Sequence, residues 1–189
     1  MAAPLLSRAV DSVWQVVALD PERPFFQREL ARLTGETYNG VVQALRRLVR
    51  DGLVTTGVVG GKPAFYANRE SPYFDEFQRI AIKSLGIPDA LDTGGIMAVK
   101  VAVFGSFAKG VAGPQSDLDL FVVGSEPAPG AASAAMAAIS RKLGRPVNVV
   151  VYDHARYQQE REDSSSFVSA IVNAPLVNLR GTLSAGQIR

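Results

Sequence analysis

Two stretches of this chain, MAVKVAVF at 97–104 and LFVV at 120–123, are apolar at almost every position rather than at alternate ones. A strand with one wet face alternates apolar and polar side chains, whereas a strand buried on both faces reads as a continuous apolar run. The chain must therefore build a sheet with cover on both faces. The covering material is nearby: AASAAMAAISRKLG at 131–144 reads as a helix entered from the loop GSEPAPG at 124–130, and RPVNVVVYD at 145–153 reads as a third strand. Strands interleaved with helices predict an α/β or α+β domain with a covered sheet. At 189 residues and 47% apolar side chains, one or two such domains can bury a core.

The first half follows a different period. Leu5, Val10, Val13, Trp14 and Val17 recur at helical spacing until DPERP at 20–24 ends the pattern. FQRELARLTG at 26–35 predicts a second, short helix closed by Gly35. A third helix lies within TGETYNGVVQALRRLVRDGLV at 34–54. It places Val41, Val42, Leu45, Leu48 and Val49 on one face, with Arg46, Arg47 and Arg50 largely elsewhere and Gly52 at its C-terminal end. LVTTGVV at 53–59 and PAFYANR at 63–69 then predict a hairpin turning on Gly60-Gly61. SPYFDEFQRIAIKSLGI at 71–87 reads as an amphipathic connecting helix opened by Ser71-Pro72, and PDALDTGG at 88–95 as turn-rich chain. These shifts divide the sequence into 1–70, a connecting helix and linker at 71–95, and 96–189.

Composition removes whole classes of chemistry. There is no cysteine, which excludes disulfides, thiolate catalysis and cysteine-ligated zinc, and His154 stands alone, which argues against a histidine-based metal site and a Ser-His-Asp triad. Any resident metal must be a hard cation held by oxygen. No apolar run is long enough to cross a bilayer, and MAAPLLSRAVDSVWQVV lacks the layout of a secretory signal, so the expected location is the cytoplasm. The net charge of +2 and a pI near 9.0 permit nucleic-acid binding without demanding it. Residues 1–70 hold nine basic side chains against seven acidic ones, so this half is not strongly cationic.

The stretch SDLDLFVVG at 116–124 concentrates the chemistry. Side chains along a strand have a period of two, so Asp117 and Asp119 project from one face while Leu118 and Leu120 go to the other. Carboxylates that close repel each other unless a cation sits between them. With no histidine cluster and no cysteine, Mg²⁺ or Mn²⁺ is the expected occupant, because these ions take carboxylate oxygens together with substrate phosphates. Gly105-Ser106, at the end of the first apolar strand, adds a backbone that phosphate can approach closely and a hydroxyl donor. Asp153 is a candidate cap at a strand exit, and Tyr152 and Tyr157 are candidate core side chains.

Gly105-Ser106, Gly110 and Ser116-Asp117-Leu118-Asp119-Leu120 together resemble the GS…G…SDxDL signature of the DNA-polymerase-β-like nucleotidyltransferase superfamily, close to its minimal members, over about residues 96–155. The resemblance implies transfer of a nucleoside monophosphate from an NTP to a hydroxyl acceptor on a protein or small molecule. Gly105 and Ser106 would hold the β- and γ-phosphates, with Lys109 and Ser116 also on the nucleotide, while Asp117 and Asp119 would ligate the catalytic metal. Active members carry a third carboxylate on a neighbouring strand, where this chain has Asn148. An amide can coordinate through its oxygen but cannot accept a proton. The tail FVSAIVNAPLVNLRG at 167–181 resembles the terminal helix and short last strand of the same fold.

The first seventy residues, ordered helix, helix, helix, hairpin, resemble bacterial winged helix-turn-helix regulators. That resemblance would put the helix carrying Tyr38, Asn39, Arg46, Arg47 and Arg50 into the major groove of double-stranded DNA, with Lys62 and Arg69 on phosphates. Three readings follow for the whole chain. The first is a winged-helix protein with a metal-dependent nucleotidyltransferase domain. The second is a DNA-binding transcriptional regulator whose nucleotidyltransferase-fold domain is inactive or only senses nucleotide. The third is a toxin–antitoxin partner working through protein contacts. By analogy a homodimer is expected, because winged-helix proteins often bind two-fold sites.

Overall fold

A computed structural model of the chain describes residues 7–113, 115–125 and 131–183, without the side chains of 131, 132 and 142. Leu5 and residues 126–130 of the loop before the alanine-rich helix lie outside the described residues. The chain divides into two compact units, 1–85 and 86–189.

In the first unit the order is α1 (Arg8–Leu19), α2 (Gln27–Thr34), α3 (Tyr38–Arg50), a hairpin of β1 (Val54–Val59) and β2 (Lys62–Ala67), and α4 (Phe74–Lys83). Helix α3 starts where the Thr37 hydroxyl accepts the Gly40 N–H at 3.1 Å, satisfying one of the orphan donors of a helix start. It buries Val41, Ala44, Leu45 and Leu48, leaves Val42 and Val49 half-buried, and keeps Arg46, Arg47 and Arg50 in solvent. The hairpin reverses between Val59 and Lys62 through Gly60 and Gly61, whose φ values of 57° and 74° belong to the left-handed region that a tight two-residue turn requires. Phe25 pairs its backbone with Phe65 and so fastens the α1–α2 connection to the outer side of β2.

The amphipathic stretch after the hairpin, α4, is part of this first core. The Trp14 indole N–H donates to the Phe77 carbonyl at 2.9 Å, and its ring meets Phe74 edge-on at 6.0 Å. Buried Gln78 donates to the Ala18 carbonyl at 2.8 Å, so its polar end is satisfied inside the core. Residues 71–95 are thus shared between the units, because α5 (Ile87–Thr93) belongs to the second. The segment PDALDTGG, which reads as turns, is largely this helix. Pro88 sits in its first turn, and Ile87 and Leu91 are buried. Its remaining support is distant in sequence: Arg180 pairs with Asp92 at 2.6 Å and with Asp89 at 3.4 Å.

The second unit is built on a four-stranded sheet in the order β5-β4-β3-β6, from β3 (Ala98–Phe104), β4 (Leu118–Gly124), β5 (Val147–Tyr152) and β6 (Val177–Arg180). β3 runs antiparallel to β4 and β6, and β4 runs parallel to β5. The short α6 (Gly105–Ala108) follows β3; α7 (Ala131–Leu143), α8 (His154–Glu162) and α9 (Phe167–Val172) complete the unit. On one sheet face Ala102, Phe121, Val123 and Tyr152 pack with Tyr157, Val168, Ile171 and Val172 from α8 and α9. Helices α5 and α7 pack on each other, and they meet β3 and β5 respectively. This cover explains β4 and the later part of β3, where Val101, Val103, Leu118, Leu120 and Val122 are fully buried, but Met97 and Val99, at the start of the first apolar run, are exposed. Among the described residues no helix is long and apolar enough to cross a membrane.

Trp14, with 2 % of its surface exposed, joins α1 to α4 by both packing and a hydrogen bond. Trp14→Ala is expected to cost about 3–5 kcal/mol of unfolding free energy, with Trp14→Phe costing less because the ring volume is largely kept. Urea denaturation followed by circular dichroism measures both.

Candidate functional site

The polar residues of the second unit gather where an apolar row of the sheet ends. Along β4 and β5 the registered pairs on the α8–α9 face run Val123 with Tyr152, Phe121 with Val150, and Asp119 with Asn148. Side chains on paired parallel strands at matched positions lie side by side on one face. The last pair is therefore a carboxylate beside an amide, at the edge of an otherwise greasy surface. Phe104 is the partner of Asp119 on the other side, so β3 leaves the sheet next to that carboxylate.

Asn148 joins the two aspartates. Its side-chain nitrogen donates to Asp119 Oδ1 at 3.1 Å and to Asp117 Oδ2 at 3.2 Å. One amide group thus offers its two hydrogens to two carboxylates and partly screens their repulsion. Asp117 is the last residue before β4 rather than a strand residue, yet it turns its carboxylate to the same side as Asp119. Among the described residues no group of three or more His, Asp or Glu side chains is placed to hold a metal, and the third polar position of this cluster is the amide.

Gly105 lies directly beneath the pair. Its φ of +71° is left-handed, and a β-carbon built on it would overlap Asp119 Oδ2. Glycine is required twice over, by backbone conformation and by the carboxylate that occupies the missing side chain's space. Ser106 follows in α6, half-buried, and its carbonyl accepts the Val111 N–H at 3.0 Å, which closes the loop after the helix. Lys109 is exposed at the end of α6. Ser116, expected on nucleotide, uses its hydroxyl to accept the Gly113 N–H at 2.9 Å and so tightens the turn before Asp117. The structure brings Gly105, Asp117, Asp119 and Asn148 into one cluster, with Ser106 and Ser116 adjoining in sequence.

Residues outside the cluster have plain structural partners. Asp153 caps α8 by accepting the Arg156 N–H at 2.8 Å, and exposed His154 bonds Gln158. Tyr152 and Tyr157 flank Phe121 in the core. Burial and a hydrogen bond with Glu160 hold the Tyr152 hydroxyl above its ordinary range. Arg145 was not singled out by sequence reasoning: it is 9 % exposed, donates to the Ser116 carbonyl at 2.7 Å and lies 4.8 Å over the Phe107 ring. Its only sequence signal is a charge at the entry of an apolar strand.

In the first unit, Tyr38 and Asn39 are exposed at the start of α3, and the Tyr38 hydroxyl donates to Gln27 at 2.7 Å. Arg47 and Arg50 both reach Asp51, at 3.3 and 3.1 Å. The Arg50 hydrogen bond, aided by Arg47, holds the Asp51 carboxyl below its usual range. Arg69 pairs with Glu22 at 3.2 Å. Arg46 and Lys62 are exposed and make no ion pair among the described residues. A groove of about 360 Å³ between α3 and the hairpin is lined by Val42, Leu45, Arg46, Val49, Arg50 and Phe65 among others.

Residues 89–171 match the family model of the nucleotidyltransferase domain, and this span contains every member of the carboxylate cluster. Over these residues the second unit is similar in sequence to nucleotidyltransferase domains, and its mixed sheet with helices is consistent with that fold. No curated protein and no solved structure matched the chain.

Gly105→Ala is expected to cost more than the about 1–2 kcal/mol of the left-handed backbone alone, because Asp119 must also move. Gly113, with open space around its β-carbon position, is the control: Gly113→Ala should change stability by no more than about 0.5 kcal/mol. Thermal denaturation of the two variants beside the parent protein checks the difference.

Proposed function

We propose that the second unit binds an NTP with a divalent cation and transfers its nucleoside monophosphate to a hydroxyl acceptor on a protein or small molecule. The observation that carries this reading is the convergence of Asp117, Asp119 and Asn148 on one point above the Gly105 corner. The donor set suits the metal: two carboxylates that already share one hydrogen-bonding partner, with an amide whose oxygen faces the same point if the group is rotated, form an all-oxygen site for Mg²⁺ or Mn²⁺. Nucleotidyltransferase domains generally use such ions. When bound, the cation would neutralise triphosphate charge and stabilise the leaving pyrophosphate.

The chain's own groups have separate tasks in this reading. Gly105 lets the backbone come close to the phosphates, and the Ser106 hydroxyl and exposed Lys109 donate to them. Ser116 acts through the turn that presents Asp117. Asn148 fixes the two carboxylates relative to each other but cannot take the acceptor's proton, so deprotonation falls to a carboxylate or to solvent. That same substitution favours a second reading, in which the unit binds nucleotide without turnover and reports its presence to the first unit.

For the first unit we propose a winged helix-turn-helix that binds double-stranded DNA through α3 and the hairpin. The exposed row of Tyr38, Asn39 and Arg46 on α3, with Lys62 at the hairpin turn, supports it. Arg47, Arg50 and Arg69 would have to exchange Asp51 and Glu22 for phosphate.

Incubation with Mg²⁺, each labelled NTP and candidate acceptors should give a labelled product that Asp117→Ala and Asp119→Ala each reduce on the order of a hundredfold or more. Nucleotide binding without product would select the sensing reading. If calorimetry finds no association with any NTP in Mg²⁺ or Mn²⁺, both fail. For DNA, Arg46→Ala and Lys62→Ala should each lower the slope of log affinity against log salt by about one, measured by fluorescence anisotropy. A chain that ignores DNA at low salt would remove the DNA-binding reading and favour a toxin–antitoxin partner working through protein contacts.

A further inference from the structure

We propose that Arg145 is a positioning residue that sets Asp117 against Asp119 and Asn148; the functional weight of that cluster rests on the nucleotide-binding reading above. The two aspartates are not held in the same way. Asp119 lies inside β4, with Phe104 registered on one side and Asn148 on the other. Asp117 precedes the strand and has no such ladder. What fixes it is the dipeptide that enters β5. Arg145 Nη1 donates to the Ser116 carbonyl at 2.7 Å, and the Pro146 carbonyl accepts the Leu118 N–H at 3.0 Å. The residues on both sides of Asp117 are thereby tied to the two adjacent residues that lead into the strand that carries Asn148. Orienting the Ser116–Asp117 peptide orients the Asp117 side chain that leaves it.

The guanidinium makes a second attachment. It lies over the ring of Phe107, which is buried in α6 and directly follows Gly105-Ser106. One largely buried side chain therefore touches, or adjoins in sequence, all three segments that supply the site: the Gly105 corner, the Ser116–Asp119 run and the start of β5. Burying a guanidinium costs its hydration, which is offset only where its planar fork is hydrogen-bonded and its face is stacked. A lysine would keep the charge but lose the stacking and the fixed direction of the N–H, so Arg145→Lys isolates position from charge.

The test uses the full chain and two readouts. By NMR, the Asn148 side-chain amide of the parent protein should give a distinct pair of resonances that reports its bonds to Asp117 and Asp119. Arg145→Lys should shift or lose that pair, while Ile139→Val, a buried change in α7, should leave it in place. By calorimetry, Mn²⁺ with the α,β-methylene analogues of ATP, CTP, GTP and UTP should bind Arg145→Lys at least about tenfold more weakly than the parent, the usual consequence of removing a group that orients metal ligands. Arg145→Ala should regain part of that binding in added methylguanidine. An Arg145→Lys protein that keeps the parent's Asn148 resonances and affinity overturns the proposal, whatever its melting temperature. If the parent binds none of the analogues, the nucleotide-binding reading fails, and the amide resonances still decide whether Arg145 positions the cluster.

Discussion

The parallel pairing of β4 with β5 is the constraint on which the second unit's chemistry depends. It is a matter of register. With Asp119 opposite Asn148, an amide faces a carboxylate at the end of a row of Val, Phe and Tyr side chains. A slip of one residue would bring Val147 or Val149 beside Asp119 and turn Asn148 towards the other face. The apolar rows above it, covered by α8 and α9, specify that register far more strongly than the polar pair does. The site thus inherits its geometry from the core, and the core carries the cost of holding two carboxylates together.

The remaining site residues are placed by backbone rather than by side-chain affinity. Gly105 is left-handed because β3 must turn sharply under Asp119, and any side chain there would displace the carboxylate. Ser116 closes a turn with Gly113 and holds the chain just ahead of Asp117. In the first unit a similar division appears on α3. One face is committed to the core by Val41, Ala44, Leu45 and Leu48, and the opposite face carries arginines whose availability depends on Asp51.

Much of the architecture is legible in residue order alone. The 3.6-residue period of α1 and α3, the Gly60-Gly61 reversal and the largely apolar runs of β3 and β4 each have a local physical cause. So does the prominence of Asp117 and Asp119, since two acids one residue apart before an apolar strand require a partner. Helix α5 was less legible: seven residues with a proline near the start and two aspartates look like a turn until Arg180, far along the chain, neutralises them. Arg145 was less legible still, because an arginine before a strand resembles any solvated surface charge.

The sequence by itself determined which groups this protein can offer: no cysteine and a single histidine, paired aspartates beside an amide-bearing strand, and a glycine where the chain must turn left-handed. Tertiary structure alone decided that Asn148 reaches both carboxylates, that α4 belongs with α1 and α5 with the sheet, and that a buried guanidinium spans the segments of the site. Local preferences act over a few residues and can be read from spacing, whereas these contacts join positions tens of residues apart and exist only once strands have paired and helices have docked.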